Sequence, residues 1–293
     1  MAPSEALPDG ISAAPLNEAD LDGACRLSAE AGWNQIAADW RLFLALGQPV
    51  GLKRADGQLV ATASTLPYGG RFGWISMVLV TATERRKGLA TWLLDHCIES
   101  LKAQGLVPGL DATPAGRAVY LGLGFRDCWR MTRLVCGAAP APDSTAQLGV
   151  TLRLVSEADG PALAAYDRAI FGADRARLLA LLAPRLPEAA LVAERQGRIV
   201  GFMLGRDGRV MRQLGPVVAE EEGIARALLA CGLRAVAGSR VTVDLADRHA
   251  GIGKWLAGLG FKAERPLTRM IHESDRAFDD PARLVAVAGP ELG

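Results

Sequence analysis

The sequence has almost no net charge: 33 Lys and Arg face 32 Asp and Glu across 293 residues, a balance of +1. Composition therefore offers no broad basic face of the kind that nucleic-acid binding draws on. Aromatic residues are scarce, at 5%. The five Cys, at 25, 97, 128, 136 and 231, include no CxxC pair. Their odd number and wide scatter argue against a disulfide framework and suit reduced thiols in a cytoplasm. Nowhere do 18 apolar residues run together, and the opening MAPSEALPDG carries acids and prolines where a signal peptide carries a basic and then an apolar stretch. Neither export nor membrane insertion is expected. The three His, at 96, 249 and 272, stand apart and give a metal site no support. What is present is ordinary for a folded protein, 50% apolar and 22% charged, over a length that suits two domains.

Two copies of one pattern follow each other. Residues 137–149, GAAPAPDSTAQLG, are rich in small residues and Pro and interrupt the apolar periodicity. NEAD at Asn17 recurs as SEAD at Ser156, 139 residues on, and DGQLVA around Gly57 recurs as QGRIVG around Gly197, 140 on. GLGF ending at Phe125 recurs ending at Phe261, 136 on, and a Thr-Arg pair follows each at the same distance, Thr132-Arg133 and Thr268-Arg269. Four matches in one order read as an internal duplication. The expected organisation is a flexible tail over 1–10, a catalytic domain over 11–136, a linker over 137–149 and a second, degenerate domain over 150–293.

Within the first copy, residues 21–30, 88–104 and 115–121 predict helices, and 58–64, 74–80, 107–110 and 129–135 predict strands. The long helix repeats Leu89, Leu93, Cys97 and Leu101 beside Ala90, Leu94 and Ile98, and Gly105 supplies its stop. The expected fold class is α/β (α+β): two tandem domains, each a mixed, mostly antiparallel sheet flanked by helices.

Chemistry concentrates in residues 77–94, MVLVTATERRKGLATWLL. A strand ends at Val80, a loop carries Arg85, Arg86 and Lys87, and Gly88 opens the helix. The first amides of a helix have no intrahelical acceptor, and its dipole adds partial positive charge. Gly88 lets a phosphate reach the backbone without a Cβ in the way, and the three cations add attraction. The same string also reads as a plain strand-to-helix turn with a solvated basic loop.

The segment RRKGLA over 85–90, following MVLV, resembles motif A of the GNAT superfamily of N-acetyltransferases: Arg or Gln, two variable residues, Gly, one variable residue, then Gly or Ala. YLGLGF over 120–125 is similar to the family's Tyr followed by a Gly-Phe turn. The resemblance covers 11–135, and the tandem arrangement resembles GNAT proteins that carry a second, diverged copy. It implies an acetyl-CoA donor, with the pyrophosphate on the backbone of Arg86, Lys87, Gly88, Leu89, Ala90 and Thr91, Arg85 alongside, and the pantetheine along Val78, Leu79 and Val80. An amide near Leu79 or Val80 would face the acetyl carbonyl. Tyr120 is implied as the group that protonates the departing thiolate, since a phenol of pKa ~10 can give its proton to a thiolate whose thiol lies near ~8.5. Its alternative is packing against Leu121 and Phe125.

The implied function is an N-acetyltransferase that moves the acetyl group of acetyl-CoA to a primary amine of a small molecule, by direct attack in a ternary complex. A non-catalytic acyl-CoA-binding sensor is the alternative. No residue declares itself as the base; Asp111 and Glu30 are candidates, each with a structural or substrate-binding role as its other reading, and a water chain is equally open. Trp33, Asn34, Trp40 and Tyr68 are candidates for the acceptor wall, with core packing as the other reading, and Asp111 is a candidate substrate contact.

The second copy departs from this pattern. Residues 215–218 correspond to MVLV, but Glu220, Glu221 and Glu222 stand where the first copy has Arg85, Arg86 and Lys87. Three carboxylates there repel a phosphate. Trp255 lies near the place of Tyr120, and an indole has no phenolic proton. The expectation is a domain without cofactor that packs on the first and closes part of the acceptor pocket.

Overall fold

The computed structural model describes residues 7–143 and 149–293. The expected tail and linker fall in part on residues 1–6 and 144–148, outside the described residues. The chain divides into two compact units between Leu110 and Asp111. That division falls well before the 137–149 segment singled out by composition.

The first unit runs β1 (Ile11–Pro15), α1 (Leu21–Glu30), α2 (Ala37–Leu46), β2 (Gln48–Arg54), β3 (Leu59–Tyr68), β4 (Phe72–Val80), α3 (Leu89–Ala103) and the start of β5 (Val107–Ala112). A box at Asn17 opens the first helical segment: the Asn17 side chain accepts from the Ala19 amide at 2.9 Å, and the Asp20 carboxylate accepts from the Asn17 amide at 3.1 Å. Strand order is β1-β2-β3-β4-β5, antiparallel until the last pair. β4 and β5 run parallel and pair over Phe72↔Val107, Gly73↔Pro108 and Trp74↔Gly109. From Ile75 onward the two strands part. α3 buries Leu89, Leu93, Leu94, Cys97, Ile98 and Leu101, the stripe its four-residue spacing predicts. Gly73 lets it pack close, since a Cβ there would stand 2.2 Å from Leu101 Cδ2 and force that side chain to shift.

The second unit contains α4 (Pro114–Gly122), β6 (Phe125–Cys136), β7 (Thr151–Leu154), α5 (Gly160–Phe171), α6 (Ala176–Leu182), β8 (Leu191–Arg195) and β9 (Arg198–Arg206). It continues through β10 (Arg212–Ala219), α7 (Glu222–Ala235), β11 (Val241–Ala246), α8 (Ala250–Gly258), β12 (Lys262–His272) and β13 (Leu284–Ala286). Its strand order is β12-β6-β11-β13-β10-β9-β8-β7. Among the described residues of this unit, β10 and β11 pair in parallel, over Arg212↔Val241 and Gln213↔Thr242. β6, which the repeat pattern assigns to the first copy, is thus built between two strands of the second, antiparallel to both. β1, α2, β2 and β13 are elements that the sequence pattern leaves unread. No helix among the described residues is long and apolar enough to cross a membrane.

Candidate active site

β4 is bulged where it leaves β5. Ser64 pairs with Ser76 and Thr62 with Leu79, so Met77 and Val78 together oppose Ala63. Met77 takes a φ of 54°, and the Thr62 hydroxyl donates to its carbonyl at 2.9 Å, which fixes the kink from the neighbouring strand. Amide direction alternates beyond the bulge. The Thr81 amide donates to Val60 on β3 at 2.9 Å, so the Leu79 amide also turns toward β3 while the Val80 amide faces the free edge. Val78 and Val80 are half-buried and Leu79 is buried. Nearby, the buried hydroxyl of Ser76 has no hydrogen-bond partner among the described residues.

The loop after β4 winds through Arg86 at φ 64° and Gly88 at φ 78°, and no side chain caps α3. No amide from Arg86 to Thr91 donates to a protein acceptor among the described residues; the first that does is Trp92, to the Gly88 carbonyl at 3.0 Å. The result is a row of free donors at the positive end of a 15-residue helix. The three cations do not act alike. Lys87 Nζ bridges to Glu84 at 2.9 Å, and Glu84, 6% exposed, is also held by Arg54. Arg54 and then Lys87 hold the Glu84 carboxyl below its ordinary value. Arg85 donates to the Val80 carbonyl at 3.1 Å. Arg86 is left exposed, with no ion-pair partner among the described residues. Lys87 neutralises a buried carboxylate within its own loop.

Tyr120 lies on α4, in the second unit. Thr113 caps that helix by accepting from the Gly116 amide at 3.2 Å, and Pro114 occupies its first position. Arg117 clamps the helix to β6 through both carboxylate oxygens of Asp127, with Nε 2.9 Å from each. The Tyr120 ring folds back over Gly116, where a Cβ would stand 2.8 Å from Cε2, and meets Phe125 at 6.1 Å between centroids. Its hydroxyl makes no hydrogen bond among the described residues. Burial raises the phenol above its ordinary 10.0, so it holds its proton across the neutral range.

The remaining candidates separate. Glu30 accepts from the Thr81 hydroxyl at 2.8 Å and the Ala82 amide at 2.5 Å, and that amide bond leads the effects that lower its pKa. It pins the turn after β4 and is a weaker base for it. The Asp111 side chain is fully enclosed and takes two bonds from Arg269, at 2.9 and 2.8 Å. Burial pushes its carboxyl up to about 6 against the pull of Arg269. Asp111 therefore serves an internal ion pair rather than an open pocket wall. Tyr68, 4% exposed, packs on Phe72 at 5.7 Å, and Trp40, 1% exposed, donates to the Ser28 hydroxyl at 3.1 Å; both are core. Trp33 is half-buried and Asn34 is 7% exposed, on the turn between α1 and α2.

The second strand–turn–helix junction has the same order and different chemistry. Glu221 caps α7 by position and pairs with Arg195 at 2.7 Å, Glu220 lies 3.8 Å from Arg198, and Glu222 sits in the first turn. Trp255 lies under the Arg226 guanidinium at 5.0 Å. Where β10 and β11 part, the gap is filled: β13 runs antiparallel to both, with Ala286 opposite Val217 on one side and Leu245 on the other. Leu284, Val285 and Ala286 are at most 1% exposed. Flanking bonds continue the seal, from the Ala219 amide to Arg283 at 3.0 Å and from the Val287 amide to Asp244 at 3.1 Å. Further on, Glu291 pairs with the buried Arg206. The sequence reading missed β13, whose three residues carry no alternation of their own. No group of three or more His, Cys, Asp or Glu able to hold a metal ion occurs among the described residues.

Comparison with known proteins agrees with this architecture. A family model described as "Acetyltransferase (GNAT) family" matches residues 24–125, and one described as "Acetyltransferase (GNAT) domain" matches 163–286. The uncharacterized N-acetyltransferase YitH of Bacillus subtilis is 25% identical over 249 residues, covering 84% of this chain and 86% of that one. Among solved structures, a putative acetyltransferase from Pyrococcus horikoshii superposes with a TM-score of 0.80 at 17% identity, over 99% of this chain and 98% of its own. A tandem GNAT protein from the clavulanic acid biosynthesis pathway gives 0.64 at 14% identity, over 89% of this chain and 98% of its own. At such identities these structures show the fold alone. With a GNAT match in each half and an N-acetyltransferase relative along most of its length, the chain belongs to the GNAT family and is an acyltransferase with two such domains in tandem.

Proposed function

We propose that the first junction binds acetyl-CoA and that the protein transfers its acetyl group to a primary amine of a small molecule, by direct attack in a ternary complex. The contrast between the two strand gaps carries this reading: the edge of β4 beyond Trp74 is left unpaired, while the corresponding edge of β10 is covered by β13. The residues at the first junction fit such a ligand. The free amides from Arg86 to Thr91, with the unpaired guanidinium of Arg86, suit a diphosphate, and the open edge at Val78 and Val80 suits an amide-bearing arm.

When bound, acetyl-CoA supplies a thioester activated toward an amine. The Val80 amide, rather than that of Leu79, is directed to the free edge and would donate to the acetyl oxygen as charge grows there. Arg85 and Glu30 hold the strand end and the turn behind it. Tyr120, kept protonated by burial, would give its proton to the departing sulfur. Trp33 and Asn34 remain as residues for the acceptor side; Tyr68 and Asp111 do not, because core packing and Arg269 occupy them. The five free thiols support a reducing cytoplasm.

Thiol release from acetyl-CoA across a panel of primary amines tests the proposal. Turnover with at least one amine, lost on Gly88→Glu, is expected. Binding of acetyl-CoA without turnover on any amine would instead make the protein a sensor.

A further inference from the structure

The phenol hydroxyl of Tyr120 has no hydrogen-bond partner among the described residues, so its direction is set by the packing of its ring and by the seating of α4. Both lead to β12, a strand of the second copy. Ahead of α4, Arg269 on β12 holds Asp111 through two bonds, at 2.9 and 2.8 Å. The same guanidinium pairs with Asp279 and stacks on Trp129 at 4.5 Å, while the Trp129 indole donates to Asp279 at 3.0 Å. Arg269 is 2% exposed. A buried cluster of this kind adds little net stability, because desolvation offsets attraction, but it fixes its members in place.

Behind α4, Gly124 turns at φ 89°, and a Cβ on it would lie 3.3 Å from His272 Nε2. The Glu273 amide donates to the Gly124 carbonyl at 2.9 Å. His272 stands opposite Phe125 in the strand register and meets its ring edge-on, at 5.2 Å and 89°. Phe125, 1% exposed, in turn carries the Tyr120 ring.

We propose that β12 positions the general acid: Arg269 and His272 hold the residues just before and just after α4, so the degenerate second copy supplies the mount for the first copy's Tyr120. The proposal rests on Tyr120 being the proton donor and goes beyond it by assigning positioning residues on the second copy. It also gives a reason for the second copy to be retained without a cofactor of its own. Small misplacements of a reacting group cost rate steeply, so the effect belongs in kcat and leaves cofactor affinity alone.

The test uses the full chain labelled with 3-fluorotyrosine, whose three tyrosines, at 68, 120 and 166, give few fluorine signals. His272→Leu fills the space without an aromatic edge, and His272→Phe restores one. With the fastest amine of a primary-amine panel, His272→Leu should lower kcat about tenfold and change the acetyl-CoA KM less than about twofold. It should also shift the Tyr120 fluorine resonance. His272→Phe should return kcat to within about threefold of the parent. Tyr120→Phe with His272→Leu should be no slower than Tyr120→Phe alone, because His272 acts through Tyr120. A parental kcat and an unmoved resonance in His272→Leu, or a full multiplicative loss in the double variant, would overturn the proposal. Should Tyr120→Phe alone keep parental kcat, the proton-donor reading is what fails, and the resonance still reports whether β12 holds the ring.

Discussion

The first and second junctions share one backbone plan and diverge in what meets the strand edge and the helix mouth. At the first, β4 and β5 part after three residue pairs and leave the edge bare; at the second, β10 and β11 part after two and the chain's own β13 enters. At the first mouth an exposed Arg86 stands over free amides, and at the second three glutamates face the helix end. Glutamates there interact favourably with the helix dipole and repel a phosphate, whereas the first helix end keeps amides without a protein acceptor among the described residues. Within one topology the two junctions thus differ by a covered edge and a reversed charge.

The harshest way to break the contrast is to remove β13. Deleting residues 283–293 exposes Leu284, Val285, Val287 and Leu292, all at most 1% exposed, and leaves Arg206 without Glu291. Each such aliphatic burial is worth roughly 1.5–3 kcal/mol, so the loss should approach the whole stability of an ordinary domain. Denaturant unfolding should lose its cooperative transition or collapse to a far lower midpoint; an unchanged midpoint would show that β13 is a dispensable cover.

Next in size is importing the second junction's charge into the first. Gly88→Glu places a carboxylate among the free amides and a side chain at φ 78°. Coenzyme A affinity measured by calorimetry should fall about a hundredfold, against little change for Glu221→Gln. Tyr120→Phe should lower kcat by about tenfold or more with the acetyl-CoA KM nearly unchanged. Since burial raises the Tyr120 phenol, the parent should lose activity to its ionisation only above pH 10.0, and the variant should lack that alkaline limb in a pH–rate profile. Smallest is Thr62→Val, which leaves the Met77 carbonyl without its donor at the bulge. It should cost about 1–2 kcal/mol in unfolding free energy and a few-fold in kcat; a rate loss without any stability loss would argue against strain relief at the bulge.

Legibility followed sequence distance. α1 matched its expected bounds and α3 came within a residue at each end, because their signals lie inside the segment: apolar spacing and a glycine stop. The basic loop was visible, but its division of labour was not, since Glu84 is neutralised partly by Arg54, 30 residues away. For Asp111 the sequence leaves a base, a substrate contact and a structural carboxylate open, because its partner Arg269 lies 158 residues downstream. For Tyr68 and Trp40 the sequence allows pocket wall or core, and packing in three dimensions puts both inside. β13 could not be read at all: it is specified by a gap between two other strands.

Calorimetric titration of the native chain with coenzyme A tests the central claim most directly. One molecule should bind per chain, about a hundredfold more weakly in Gly88→Glu and with unchanged affinity on charge reversal of Glu220, Glu221 and Glu222. Two molecules per chain, or parental affinity in Gly88→Glu, would contradict it.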